Sequence, residues 1–211
     1  MNLKYYKIVI ILIIIMSKIY KVPNHLTKKG IIISFHGGCF MGGNTSWDKE
    51  QNQMLSELGY EVHQVEFPKS HSEFCQWAKD YKLSSDLTMP LYCLGRSSGG
   101  YLAKIYSKLH QEINKTIYIC PVFKPYHRCE LKPQFINKTQ KFFDSDPILT
   151  TDWDSNREIL FLASNDQNIP MTCFTDEQLK DAIFLGPQSH SGMITTISKK
   201  FQDKLLNVLI G

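Results

Sequence analysis

A chain of 211 residues, 43% apolar and with a formal charge of +4, has room for one domain with a substantial core and none for a second catalytic domain. Its lysines are dispersed, and no segment gathers Arg/Lys with aromatics, which excludes the usual nucleic-acid binder and leaves a neutral small molecule as the expected partner. Cys39, Cys75, Cys93, Cys120, Cys129 and Cys173 form no C-x-x-C pair and no zinc-spaced cluster with His, so reduced thiols and no metal or cofactor are expected; Cys93 and Cys120 read as small buried residues.

In residues 1–29, Lys4 and Lys7 precede nine apolar residues, 8–16, too few for a bilayer span and without a small-residue cleavage site. That run fits a buried strand, a secretion signal or a short anchor, so cytoplasmic, membrane-associated (through residues 1–20) and secreted locations all stay open. Asn44, Asn114 and Asn137 lie in glycosylation sequons, though a glycan on Asn44 would obstruct the site proposed below.

From residue 30 onward short apolar runs alternate with helical periodicity. Strands are predicted over 31–35, 60–67, 91–94, 116–120, 158–163 and 182–185. Helices are predicted over 47–58, 72–82, after residue 97, over 177–181 and in a closing stretch marked by Ile194, Ile197, Phe201, Leu205 and Leu209. This is the rhythm of a mainly parallel sheet with helices on both faces. Residues 121–157, rich in Pro and aromatics, break it and read as a small lid on a domain spanning 30–211. In open α/β sheets the site lies at the carboxyl ends of the strands, so candidate residues should follow strands.

Gly95-Arg96-Ser97-Ser98-Gly99 follows the 91–94 run and opens a helix. A serine on such a sharp turn is presented as a nucleophile, and the glycines let strand and helix approach closely. His36-Gly37-Gly38-Cys39-Phe40 follows the first strand, where a glycine-rich turn can aim backbone N–H groups at one developing oxyanion. His36 there reads as support for the loop rather than a proton carrier. Asp166 follows the 158–163 strand, whereas Asp144, Asp146, Asp152 and Asp154 precede it and read as caps or solvated charges. His190 lies after the last strand, within reach of a general base for Ser97; His25, His63, His71, His110 and His127 read as ordinary histidines. Phe40, Met41 and the lid aromatics are candidates for an acyl pocket or for simple core.

The order Ser97, Asp166, His190 and the strand-end contexts resemble the α/β-hydrolase superfamily from about residue 30 to the C-terminus. They are most similar to the esterase and lipase branch with an H-G-G-G type oxyanion loop, which includes hormone-sensitive-lipase-like and kynurenine-formamidase-like enzymes. The resemblance implies an α/β-hydrolase fold. It implies Ser97 as nucleophile, Asp166 as acid, His190 as base, the amides of Gly38, Cys39 and Ser98 as oxyanion donors, and His36 and Gly37 as loop support. The expected activity is hydrolysis of a small-molecule ester through an acyl-enzyme. Amide, formamide or thioester cleavage on the same residues is an alternative, as is a non-catalytic hydrolase-fold binding protein. Cys39 stands where the third glycine is usual, and the 60–67 strand runs into Pro68-Lys69 without the D-Y-R-L-A-P-E type segment of lipase-like relatives.

Overall fold

A computed structural model describes residues 16–211 apart from 44, 82, 84–87, 149–151, 196–198 and 211. The apolar run 8–15 and the sequon at Asn44 lie outside the described residues. Among the described residues no helix is long and apolar enough to cross a membrane.

Among the described residues seven strands form one sheet in the order β1-β3-β2-β4-β5-β6-β7. They are β1 (Met16–Tyr20), β2 (Gly30–Phe35), β3 (Tyr60–Val65), β4 (Leu91–Arg96), β5 (Ile113–Ile119), β6 (Glu158–Leu162) and β7 (Ile183–Phe184). All neighbours pair in parallel except β1, which lies antiparallel on β3 with Ile19 opposite His63. The sequence rhythm does not predict β1, in which Lys18 and Ile19 are both exposed and only Tyr20 is seen to be buried.

Every residue of β2 is buried because both faces of the sheet are covered, which is why its sequence is a continuous apolar run rather than an alternation. Ile31, Ile33 and Phe35 point into one core, with α2 (His71–Asp80) and α3 (Ser98–Leu109); Ile32 points into the other, with α1 (Lys49–Glu57) and the C-terminal helix Lys199–Ile210. The α2 helix starts where Ser70 Oγ accepts the Glu73 amide, and it buries Phe74, Trp77 and Ala78 on one side.

Between β5 and β6 the chain forms α4 (Pro125–Leu131), with proline in its first turn, a 3₁₀ turn (Pro133–Phe135) and α5 (Ile136–Phe142). Phe142 stacks on Phe40 at 5.0 Å, anchoring α5 beside the turn that follows β2. Thr175 and Gln178 make a reciprocal capping box at the start of α6 (Asp176–Asp181). The closing stretch comes as α7 (His190–Thr195) and α8 (Lys199–Ile210), with 196–198 outside the described residues. His190 therefore opens a helix rather than sitting in the loop before one, because Ser189 Oγ caps that helix by accepting the Gly192 amide at 3.0 Å.

Candidate active site

The turn between β4 and α3 places Ser97 at φ 52°, ψ −122°, a left-handed conformation that costs a non-glycine residue about 1–3 kcal/mol. Three backbone bonds hold it there: Ser97 N–H to Ile119 O at 3.0 Å, and the amides of Gly100 and Val122 to Ser97 O, both at 2.9 Å. The glycines serve close approach. A Cβ on Gly99 would lie 2.3 Å from Phe35 O, and one on Gly100 would lie 2.3 Å from the Cβ of Pro121. Helix α3 can thus begin hard against the ends of β2 and β5, with Ser97 only 3% exposed.

Loops after β6 and β7 bring two further side chains to this turn. His190 Nε2 lies 2.9 Å from Ser97 Oγ, and Nδ1 lies 2.6 Å from Asp166 Oδ2. The other carboxylate oxygen of Asp166 accepts the amides of Asn168 at 2.8 Å and Ile169 at 3.0 Å, which fixes the carboxylate. With Asp166 only accepting, the ring carries its proton on Nδ1 and presents the Nε2 lone pair to the Ser97 hydroxyl. Burial alone would raise the Asp166 carboxyl, but the hydrogen bond and charge of His190 and the two amides outweigh it and hold the group below its ordinary value.

Cys120 lies beside this cluster, free and fully buried as the sequence reading expects. It stands at the end of β5 with φ 44°. Burial, and after it the neighbouring Asp166 charge, push the thiol's pKa well up, so it stays protonated. One sulfur, one carboxylate oxygen and one ring nitrogen of Cys120, Asp166 and His190 lie within 4.8 Å of one another, close enough for a single metal ion. Asp166 and His190 already hydrogen-bond each other, which accounts for their spacing without an ion.

After β2, Gly38, Cys39 and Phe40 have φ of 120°, 55° and 68°, so three successive residues sit in the left-handed region, and Gly42 N–H closes the turn on Gly38 O at 2.7 Å. Position 38 requires glycine, since a Cβ would lie 1.9 Å from Gly42 O. The buried His36 ring stacks on Phe67 at 4.5 Å and donates from Nδ1 to Gly37 O at 2.6 Å. Burial lowers its pKa despite the opposing pull of the Gly37 carbonyl and Glu66. Phe40 is core rather than pocket: it is fully buried against Tyr101, Phe142 and Phe143.

Gly38, Cys39, Ser97 and His190 line one cleft of about 420 Å³, with Trp47 and Lys138 on its rim. The Ser98 amide opens α3 beside it, among the first-turn N–H groups that have no intrahelical acceptor. The competing aspartates lie elsewhere: Asp144 accepts the Ser72 amide at 2.9 Å, and Asp152 pairs with Lys108 at 2.5 Å.

Sequence reasoning missed the group beneath the turn. Arg96, fully buried, donates to Gln51 Oε1 at 2.6 Å, Ser34 Oγ at 2.8 Å, Asn52 Oδ1 at 3.0 Å and Asp48 Oδ2 at 3.3 Å. Burial pushes the Asp48 carboxyl up, and the guanidinium opposes that shift. A polar stripe at 48, 51 and 52 on one face of a helix packed against an apolar sheet is the signal that could have found it.

No protein-family model matches the sequence, and no curated protein is significantly similar to it. Solved structures are similar in fold. An esterase of Pyrobaculum calidifontis superposes with a TM-score of 0.64 at 14% identity, over 100% of this chain and 92% of that one. Esterase 2 of Thermogutta terrifontis, solved phosphonylated by sarin, gives 0.63 at 14% identity, over 90% of this chain and 86% of that one. A soluble variant of monoglyceride lipase from Saccharomyces cerevisiae, solved with a substrate analogue, gives 0.62 at 13% identity, over 91% and 89%. At such identities the likeness establishes the fold, which is that of the α/β-hydrolases.

Proposed function

We propose that this α/β-hydrolase-fold protein is a serine hydrolase that cleaves carboxylic esters through an acyl-enzyme on Ser97. The observation that carries the reading is the hydrogen-bonded chain from Asp166 through His190 to Ser97 Oγ, ending in a cleft. Ser97 Oγ attacks the ester carbonyl carbon while His190 Nε2 takes the hydroxyl proton, and the carbonyl oxygen becomes an oxyanion. The amides of Gly38, Cys39 and Ser98 receive that oxyanion, and the His36 bond to Gly37 O steadies the turn that carries two of them. Collapse breaks the bond to the alcohol, which leaves with the proton from His190. Water then attacks the acyl carbon by the same steps in reverse and releases the acid. Asp166 holds the ring in one tautomer and stabilises its charged form throughout.

The turn His36-Gly37-Gly38-Cys39 supports placing the chain with the H-G-G-G type branch, since an amide serves at Cys39 whatever its side chain. The esterase and lipase identities of the structural neighbours support ester cleavage over other acyl transfers. A fluorophosphonate probe should label Ser97 in the folded protein. Turnover of p-nitrophenyl esters of graded chain length, with Ser97→Ala as control and matched thioesters and anilides, identifies the bond cleaved. Folded protein that gives neither adduct nor turnover would overturn the reading in favour of a binding protein.

A further inference from the structure

Lysines and arginines are spread along the chain, but one short segment is strongly cationic. Residues 124–142, the α4–α5 segment over the cleft, hold five Lys/Arg (Lys124, Arg128, Lys132, Lys138, Lys141) against one Glu, so this short stretch carries as much net charge as the whole chain's +4.

Two of these cations stand at the site. Lys138 lines the cleft, and its Nζ lies 3.6 Å from where a Cβ on Gly42 would be, so the ammonium leans over the glycine turn. Arg128 is only 1% exposed and donates to Cys39 Sγ at 3.8 Å and Thr139 Oγ1 at 3.3 Å, directly behind that turn. Its Nε is buried without a hydrogen-bond partner. Among the described residues no carboxylate forms an ion pair with Arg128 or Lys138, whereas the other buried cations, Arg96 and Lys104, are paired with Asp48 and Glu158. The Arg128 guanidinium stacks over the Phe135 ring at 4.2 Å, which offsets part of the cost of burying it without a counter-charge, and an anion close by would offset more. None of the side chains named on the cleft wall is acidic.

Resting on the hydrolase reading, we infer that the substrate is an ester bearing a second, anionic group such as a carboxylate, drawn to the Lys138 rim of the cleft in the field of Arg128. This replaces the neutral substrate that the dispersed lysines suggest in the linear sequence. Lys138 is the specificity residue that meets the anion. Arg128, walled off by Cys39, acts through its field and by firming the turn. Trp47, 53% exposed on the same rim, offers an apolar wall for the rest of the molecule.

The test compares matched esters. On the acyl side, p-nitrophenyl monoesters of succinate, glutarate and adipate are set against butyrate, valerate and hexanoate; on the alcohol side, butyrates of hydroxy acids are set against those of plain alcohols. In at least one series the anionic member should have the higher kcat/KM, and Lys138→Met should lower the anionic-to-neutral ratio about five-fold. Equilibrium binding of the non-chromogenic monoalkyl succinates and alkyl butyrates to Ser97→Ala protein should show the same preference, and it reads the inference even if the hydrolase reading fails. A ratio at or below one in both series, or a preference that Lys138→Met leaves in place, overturns the inference. Failure of the hydrolase reading looks different, as absence of a fluorophosphonate adduct on Ser97.

Discussion

Consecutive residues of this chain enter two polar clusters of opposite character. Arg96 points beneath the end of β4 into a sealed group with Ser34, Asp48, Gln51 and Asn52, while Ser97 points above it into the chain with His190 and Asp166. Each cluster contains a buried carboxylate beside a basic side chain. Below, the guanidinium spends its donors on oxygens that no solvent reaches, so the cluster can only hold β4 to α1. Above, the last hydroxyl faces a cleft and has an acceptor waiting for its proton. The same inventory of groups is therefore structural when it is closed and, on the proposed reading, catalytic when it ends at a cleft.

The sharpest way to break that contrast is to exchange the expected costs. Ser97→Ala should lower kcat/KM on a cleaved ester by about 10⁴-fold or more, and Asp166→Asn by about 10⁴-fold, with little change in the urea midpoint. Arg96→Met should do the reverse in kind: it strands the Asp48 carboxylate and costs about 3–5 kcal/mol of unfolding free energy in urea titration. Adding Asp48→Leu should return part of that loss. If Arg96→Met removed activity at unchanged stability, the lower cluster would belong to the site.

Two smaller effects sharpen the boundary between the clusters. Cys120→Ala removes the buried thiol that lies beside Asp166 and His190 and should slow turnover roughly ten-fold, and Cys120→Ser should restore most of it; equal rates in all three proteins would make Cys120 packing alone. His36 feels charges on both sides, and its lowered pKa gives the smallest prediction. Below its ordinary value of 6.5 the unfolded imidazole binds a proton that the folded one refuses, so stability falls as pH drops from 6.5 toward 5. His71, also lowered by burial, adds to the same window. Asp166 has the opposite shift, so its contribution is intact there and is lost only as pH falls through its depressed value, below 3.8. Urea titrations from pH 7.5 to 5 should show the drop, reduced by His36→Gln.

Much of this was legible in the chain because strand-end position is a local property. Apolar runs mark β2 to β7, and Ser97, Asp166 and His190 each follow such a run, so their order could be read directly. What could not be read depends on packing between distant elements. Arg96 meets its partners only when α1 docks on the sheet, and Lys138 reaches the cleft only because Phe142 stacks on Phe40. The β1 strand escaped notice because its sequence, Met-Ser-Lys-Ile-Tyr, shows no apolar alternation, and Lys18 and Ile19 are both exposed.

Gly99 bears on how such a site can change. With the carbonyl of Phe35 only 2.3 Å from where its side chain would begin, the helix that carries Ser97 rests on the root of the turn that carries Gly38 and Cys39. Ser97 and the Gly38–Cys39 turn are thus gauged against one shared stop. A substitution that lifts the helix displaces both together, whereas Trp47 and Lys138 on the rim can change without moving that contact.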